Sequence, residues 1–135
     1  MSPHLRDNFN WKEEIMATQD KCCTIVPYFK VKDGKVDDFQ ALCDQFVEKT
    51  NNESKCLYYW FSFNGDIVHC REGYEDAEGL LAHLENVGAL LQEALKIADI
   101  SLLEVHGPEK ELAKLRGPLA DLNPQFFELK YGFRR

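Results

Sequence analysis

The sequence predicts one α+β domain with the strand and helix order βαββαβ. Three observations predict it: runs of β-branched and aromatic residues, amphipathic runs of helical period between them, and an Asn-Gly turn near the centre of the chain. Length and composition agree. The 135 residues fall within the size of one domain, and 44% hydrophobic residues suffice for a single sizeable core.

Residues 1–20 are polar and read as an N-terminal arm, with Phe9, Trp11, Ile15 and Met16 loosely spaced as in a short amphipathic helix; residues 21–135 read as the domain. The run Cys22 to Val31 (CCTIVPYFKV) is the first strand, and Pro27 within it predicts a sheet edge or a bulge, because proline offers no N–H to a ladder. After Asp33-Gly34, apolar residues at Val36, Phe39, Leu42, Cys43, Phe46 and Val47 share one arc at about 100° per residue, which predicts a helix over 35–50. From Glu75 a second apolar stripe (Leu80, Leu81, Leu84, Val87, Leu91, Leu95) predicts a helix that Gly88 either kinks or divides in two. Asp99 to His106 reads as a strand and Glu109 to Leu115 as a short helix with Pro108 at its first turn. Gln125 to Phe133 closes the chain as a fifth strand, placed to extend a partner's sheet. The order is that of a ferredoxin-like fold with an added helix and strand.

The strongest local signal is Cys56 to Phe63 (CLYYWFSF), then Asn64-Gly65, then Asp66 to Tyr74 (DIVHCREGY). Asn-Gly readily supplies both positive φ angles of a type I′ turn, so the expected hairpin pairs Phe63 with Asp66. One face then carries Tyr58, Trp60, Ser62, Ile67, His69 and Arg71, and the other Leu57, Tyr59, Phe61, Val68, Cys70 and Glu72. Both faces hold large apolar groups. An antiparallel sheet with one wet face would alternate apolar with polar, so the second face is expected to meet another sheet, most simply that of an identical subunit. A homodimer is the expectation.

The net charge of −7 and the lack of a basic segment beyond Arg134-Arg135 argue against nucleic acid or an anionic membrane as partner. No run of 18 apolar residues occurs, and the charged N-terminus does not read as a signal peptide, so a cytoplasmic protein is expected. The five cysteines, Cys22, Cys23, Cys43, Cys56 and Cys70, lack Cys-x-x-Cys spacing and read as reduced, mostly buried thiols. No His or carboxylate spacing suggests a metal, and no glycine-rich phosphate loop suggests a nucleotide, so no cofactor is expected.

On one hairpin face Arg71 and Tyr58 could hold an anionic or phenolic ligand, with His69 as acid or base and Trp60 as an aromatic wall. The plainer reading is a packed cross-strand aromatic cluster. Glu72, on the other face, reads as a loop or dimer anchor, and Tyr74 as core or as a substrate contact.

The segments Cys56-Leu57-Tyr58-Tyr59, Glu72-Gly73-Tyr74-Glu75-Asp76 and Leu81-Ala82-His83-Leu84 resemble the antibiotic biosynthesis monooxygenase-like family, over about residues 22–106. The resemblance implies a dimeric α+β barrel and, among known members, cofactor-independent oxygenases of quinol-like aromatics or haem-degrading enzymes. The chain departs from the family at Ile25-Val26-Pro27-Tyr28-Phe29, where oxygenases tend to carry an Asn. His83 lies at the edge of its helix's apolar stripe, and the resemblance makes it a proton shuttle or an axial haem ligand; a partly buried histidine bonded to a carbonyl is the structural alternative. The leading expectation is a dimer that binds a small aromatic molecule, possible as a cofactor-free monooxygenase, with His83, His69 and Trp60 as catalytic residues and Tyr58, Arg71 and Tyr74 as substrate contacts. The alternatives are a non-catalytic ligand-binding or assembly domain, and a haem protein.

Overall fold

In the computed structural model, which describes residues 19–135, the first strand β1 (Cys23–Val31) lies in the middle of a five-stranded sheet. It is followed by helix α1 (Val36–Thr50), the hairpin strands β2 (Cys56–Asn64) and β3 (Ile67–Tyr74), and two short helices, α2 (Ala77–Asn86) and α3 (Gly88–Ala94). Then come β4 (Ala98–Gly107), α4 (Glu109–Leu115), a 3-10 turn at Ala120–Leu122 and β5 (Gln125–Glu128). The sheet order is β2-β3-β1-β4-β5, antiparallel throughout except for the last pair. This is the ferredoxin-like arrangement with one strand added. The amphipathic spacing of Phe9, Trp11, Ile15 and Met16 lies outside the described residues.

Pro27 marks a bulge, not an edge. The register of β1 against β4 shifts between Tyr28 and Phe29, and pairing with β3 lapses between Ile25↔Glu72 and Tyr28↔His69, where Val26 and Pro27 lie. A residue without an N–H is accommodated in a central strand because the ladder is already broken there. The helix after Glu75 is divided, with Val87 ending α2 and starting α3.

The hairpin is two-residue, but its loop is Gly65-Asp66 and Asn64 pairs with Ile67. Gly65 has φ +60 and Asp66 is not among the positive-φ residues, which is the pattern of a type II′ turn with glycine first, not the expected I′. From Tyr58 to Asn64 each partner is therefore displaced by two residues from the expected register: Trp60 faces Arg71, Ser62 faces His69, and Tyr59 faces Glu72, until the register shifts again between Cys56 and Tyr58 and Leu57 loses its expected pairing with Glu72. A displacement of two leaves the side chains from Tyr58 onward on their expected face. Lys30 forms an ion pair with Asp66 at this turn.

The closing strand is also corrected. Only Gln125–Glu128 is strand, and it pairs in parallel with β4 of its own chain, Val105 against Phe126 and His106 against Phe127. Gly107 of β4 accepts the Leu129 N–H at 2.7 Å, so the segment is engaged at its own sheet.

Between sheet and helices the core forms two clusters. One gathers Ile25, Tyr74, Leu80, Leu103, Val105, Leu112 and Leu115 under α2 and α4. The other gathers Phe29, Val31, Phe39, Phe46, Val68 and Val87 under α1 and α3. Helix α2 is set by its cap: Asp76 Oδ1 accepts the Gly79 N–H at 2.8 Å, while its Oδ2 pairs with Lys55 at 2.8 Å. The buried Glu111 accepts the Ala77 N–H at 3.0 Å, satisfying a further orphan donor of the same turn.

Asp76→Ala is expected to lower the unfolding free energy by about 1–2 kcal/mol in urea titration, because it removes a cap that positions α2. A loss of only a few tenths would show that Glu111 holds the helix start alone.

Candidate functional site

The alternation of β3 sends Cys70, Glu72 and Tyr74 toward the helices, and all three are buried. Glu72 is 3% exposed among apolar side chains. Above it stands His83 of α2, 2% exposed, with its Nε2 3.2 Å from Glu72 Oε1. The other ring nitrogen, Nδ1, lies 2.9 Å from Oε2 of Glu53, in the turn between α1 and β2. The Tyr74 hydroxyl donates to Glu72 Oε1 at 2.6 Å, and Asn86 Nδ2 donates to Glu53 Oε2 at 2.8 Å. The imidazole is clamped between Tyr74, at 5.0 Å between ring centroids, and Tyr59, at 5.2 Å. The result is a buried Glu72–His83–Glu53 row, hydrogen-bonded between His83 and Glu53 and in close contact between His83 and Glu72.

Burial dominates the electrostatics of Glu72 and pushes its pKa above the ordinary value of 4.5. His83 and the hydrogen bonds from Cys70 and Tyr74 pull the other way, and Glu53 adds a smaller upward push. Burial likewise raises the phenols of Tyr59 and Tyr74 and the thiol of Cys70, so these act as neutral donors. The five cysteines are free, and burial lifts Cys23 and Cys43 to about 12 and Cys56 to about 11. Thiolate chemistry is not what this interior offers.

Glu72 and His83 border a narrow apolar cleft along the seam of the two core clusters. Its walls are Ile25, Pro27 and Phe29 of β1, Tyr59 and Phe61 of β2, Leu84 and Val87 at α2, Leu91 of α3, and Ile100 and Leu103 of β4. The bulge at Pro27 thus borders the site. An apolar cleft with a few convergent polar groups is the usual form of a small-molecule site.

The expected site residues do not converge. His83 and Tyr74 belong to this pocket's surroundings, whereas Tyr58, Trp60, His69 and Arg71 lie on the opposite face of the sheet, because odd and even positions of a hairpin point apart. Trp60, expected as a pocket wall beside His83, is 62% exposed there. His69 stacks against Tyr28 at 4.7 Å, and the Tyr58 ring lies so close over Gly73 that a Cβ there would be 2.5 Å from it. Tyr74 is wholly buried and reaches the pocket only through Glu72. Glu72, expected as a loop or dimer anchor, instead lies buried against His83, and Glu53 is the group that sequence reasoning passed over. For Glu72 the available signal was a carboxylate at the inward phase of a strand, two residues from Cys70 and from Tyr74.

Both ring nitrogens of His83 face carboxyl groups within 3.2 Å, and the space beside it is narrow. These residues do not fit a haem ligated through His83. Among the described residues no cluster of His, Cys, Asp or Glu is arranged to hold a metal ion, and no helix is long and apolar enough to cross a membrane.

An α+β sheet-and-helix domain with an apolar cleft in its seam is the class that fold and site define. No protein-family model and no curated protein sequence matches the chain. Among solved structures, MupZ from Pseudomonas fluorescens is 52% identical, over 87% of this chain and 92% of that one, with a TM-score of 0.84. A conserved protein from Methanosarcina mazei Go1 shares the fold at 22% identity, over 62% and 89% of the two chains, with a TM-score of 0.59. A structure described as an antibiotic biosynthesis monooxygenase shares it at 20% identity, over 62% and 92%, with a TM-score of 0.55. The chain belongs to the same family as MupZ and shares its fold with structures described as antibiotic biosynthesis monooxygenases.

A buried acid whose pKa is raised holds its proton in the folded state while the unfolded chain has released it, so its stabilising effect is complete below about pH 4.5 and declines as pH rises. Wild type should therefore lose thermal stability relative to Glu72→Gln as pH is raised from about 5 to about 8. The groups facing Glu72, namely His83, Cys70, Tyr74, Tyr59 and Glu53, are common to both proteins, so the difference isolates the carboxyl. Parallel melting curves over that range would contradict a raised Glu72.

Proposed function

We propose that the protein binds an apolar small molecule in the seam pocket and transfers a proton to or from it through Glu72 and His83. The observation that carries this reading is the Glu72–His83 contact of 3.2 Å at the wall of an otherwise apolar cleft. A protonated carboxyl next to a neutral imidazole can exchange one proton within the pair, so the site can present either an acid or a carboxylate at small cost. The surrounding Phe, Leu and Ile side chains keep water away, which strengthens both hydrogen bonding and charge development at the reacting atom.

Replacing His83 by Ala or Glu72 by Gln should lower turnover of a substrate found by screening apolar ligands by about 100-fold or more. Binding, read as a ligand-induced rise in melting temperature, should persist in both variants. Full turnover in either variant overturns the reading; ligand binding with no turnover in wild type favours the non-catalytic ligand-binding domain.

A second, finer reading is a cofactor-independent monooxygenase of a quinol-like aromatic, favoured by the fold shared with a protein described as an antibiotic biosynthesis monooxygenase. There the pair would act as the base that ionises the phenol before it meets oxygen. Consumption of dissolved oxygen on adding quinols distinguishes it from plain acid–base chemistry.

The homodimer is part of the proposal. The sheet face turned away from the helices carries Tyr28, His69, Arg71 and the exposed Trp60, and a twin sheet would cover it and close a barrel. Trp60, His69, Tyr58 and Arg71 then serve the subunit contact. Trp60→Glu should convert a dimer at micromolar concentration into a monomer in sedimentation velocity, and a monomeric wild type would end this part of the reading. Free thiols throughout support a reducing compartment such as the cytoplasm.

A further inference from the structure

The two carboxyls that flank His83 differ in surroundings, and the hydrogen bonds around them show how. Asn86 Nδ2 can only donate, and it lies 3.2 Å from the Lys49 carbonyl oxygen and 2.8 Å from Glu53 Oε2. Both of its N–H groups are therefore used on acceptors, and its amide is held in one orientation. Glu53 Oε2 receives this donor and also faces His83 Nδ1 at 2.9 Å. The Glu53 side chain keeps 12% of its surface open, against 4% for Glu72, and it borders a separate open cleft beside Thr50, Asn51 and Cys56. Of the two carboxyls, Glu53 is thus the one nearer solvent, and both Asn86 and His83 Nδ1 face its Oε2.

We propose that Glu53, held by Asn86, is a positioning residue that fixes the tautomer of His83: Nδ1–H donates to Glu53, and Nε2 is left as the acceptor facing Glu72. The inference rests on the acid–base reading of the site and adds the reason it works in one direction. With Nε2 unprotonated, the proton between the two groups belongs to Glu72, whose hydroxyl points at the ring. When that proton shifts to Nε2, the O–H bond of Glu72 breaks, an N–H bond forms, and Glu53 balances the new imidazolium charge. Glu72 is then a carboxylate. Without Glu53, the ring is expected to turn its single proton to Nε2, which removes the acceptor for the Glu72 proton and so closes the transfer between the two groups.

The test reads the ring nitrogens directly, by long-range proton–nitrogen correlation NMR on the full chain labelled at histidine, with no ligand added. Wild type should show the Nδ1–H tautomer for His83, assigned by its loss in His83→Ala. Glu53→Gln should keep it, since the Gln carbonyl can accept from both Asn86 and Nδ1–H. Glu53→Ala, or Glu53→Leu if the alanine variant does not fold, should switch the signal to Nε2–H. A change in packing alone would move shifts without exchanging the protonated nitrogen. An Nε2–H tautomer in wild type, or an unchanged tautomer when the acceptor at position 53 is removed, overturns the proposal. Because the measurement needs no substrate, it stands apart from the function itself: a protein with the right tautomer that turns nothing over defeats the acid–base reading and leaves the positioning result in place.

Discussion

The structure depends on keeping one carboxyl group inside an apolar interior. An unpaired carboxylate there would cost several kcal/mol; burial raises the Glu72 pKa toward the neutral acid, and donors surround the group. Tyr74 donates from the same strand, His83 approaches from α2, and the cap at Asp76 sets where that helix begins. Glu53 and Asn86 complete the row from the far side of the ring. No member is buried without a partner, which is the condition for a polar network to stabilise a fold instead of loosening it.

The same strand alternation that gathers this row also disperses the residues that looked most chemical. Arg71 and His69 are next-door neighbours of Glu72 and Cys70 in sequence, yet they emerge on the other side of the sheet. A period of two makes proximity along a strand a poor guide to proximity in space. The two sheet faces consequently differ, one bordering the apolar cleft and the other presenting an aromatic surface on which Trp60 is largely exposed.

Much of the architecture was legible in the sequence, because periodicity and turn chemistry act locally. Helix α1, the divided helix around Gly88, and α4 after Pro108 all follow from apolar spacing and punctuation by Gly and Pro. The hairpin's faces were legible too, but not its register, since Asn64-Gly65 suits type I′ while Gly65-Asp66 suits type II′, and only tertiary context selects. Pro27 announced a break in the ladder without saying that it lay in a central strand. The final segment showed period-two alternation to Phe133, yet only Gln125–Glu128 of it forms a strand along β4. In the site, His83 was visible from its helix phase. Glu72 was visible only as a polar residue in an apolar phase, and Glu53 was hidden, because a carboxylate in a turn between helix and strand carries no periodic signal at all.

What ties fold to chemistry is the proton on Glu72, and carbon-13 NMR of the glutamate side-chain carboxyls would see it most directly. Glu72, assigned by its absence in Glu72→Gln, should keep the shift of the acid form as pH rises past the ordinary glutamate value of 4.5. If the Glu72 signal titrates at that ordinary value, the carboxyl is not held by its surroundings and the account of this pocket fails.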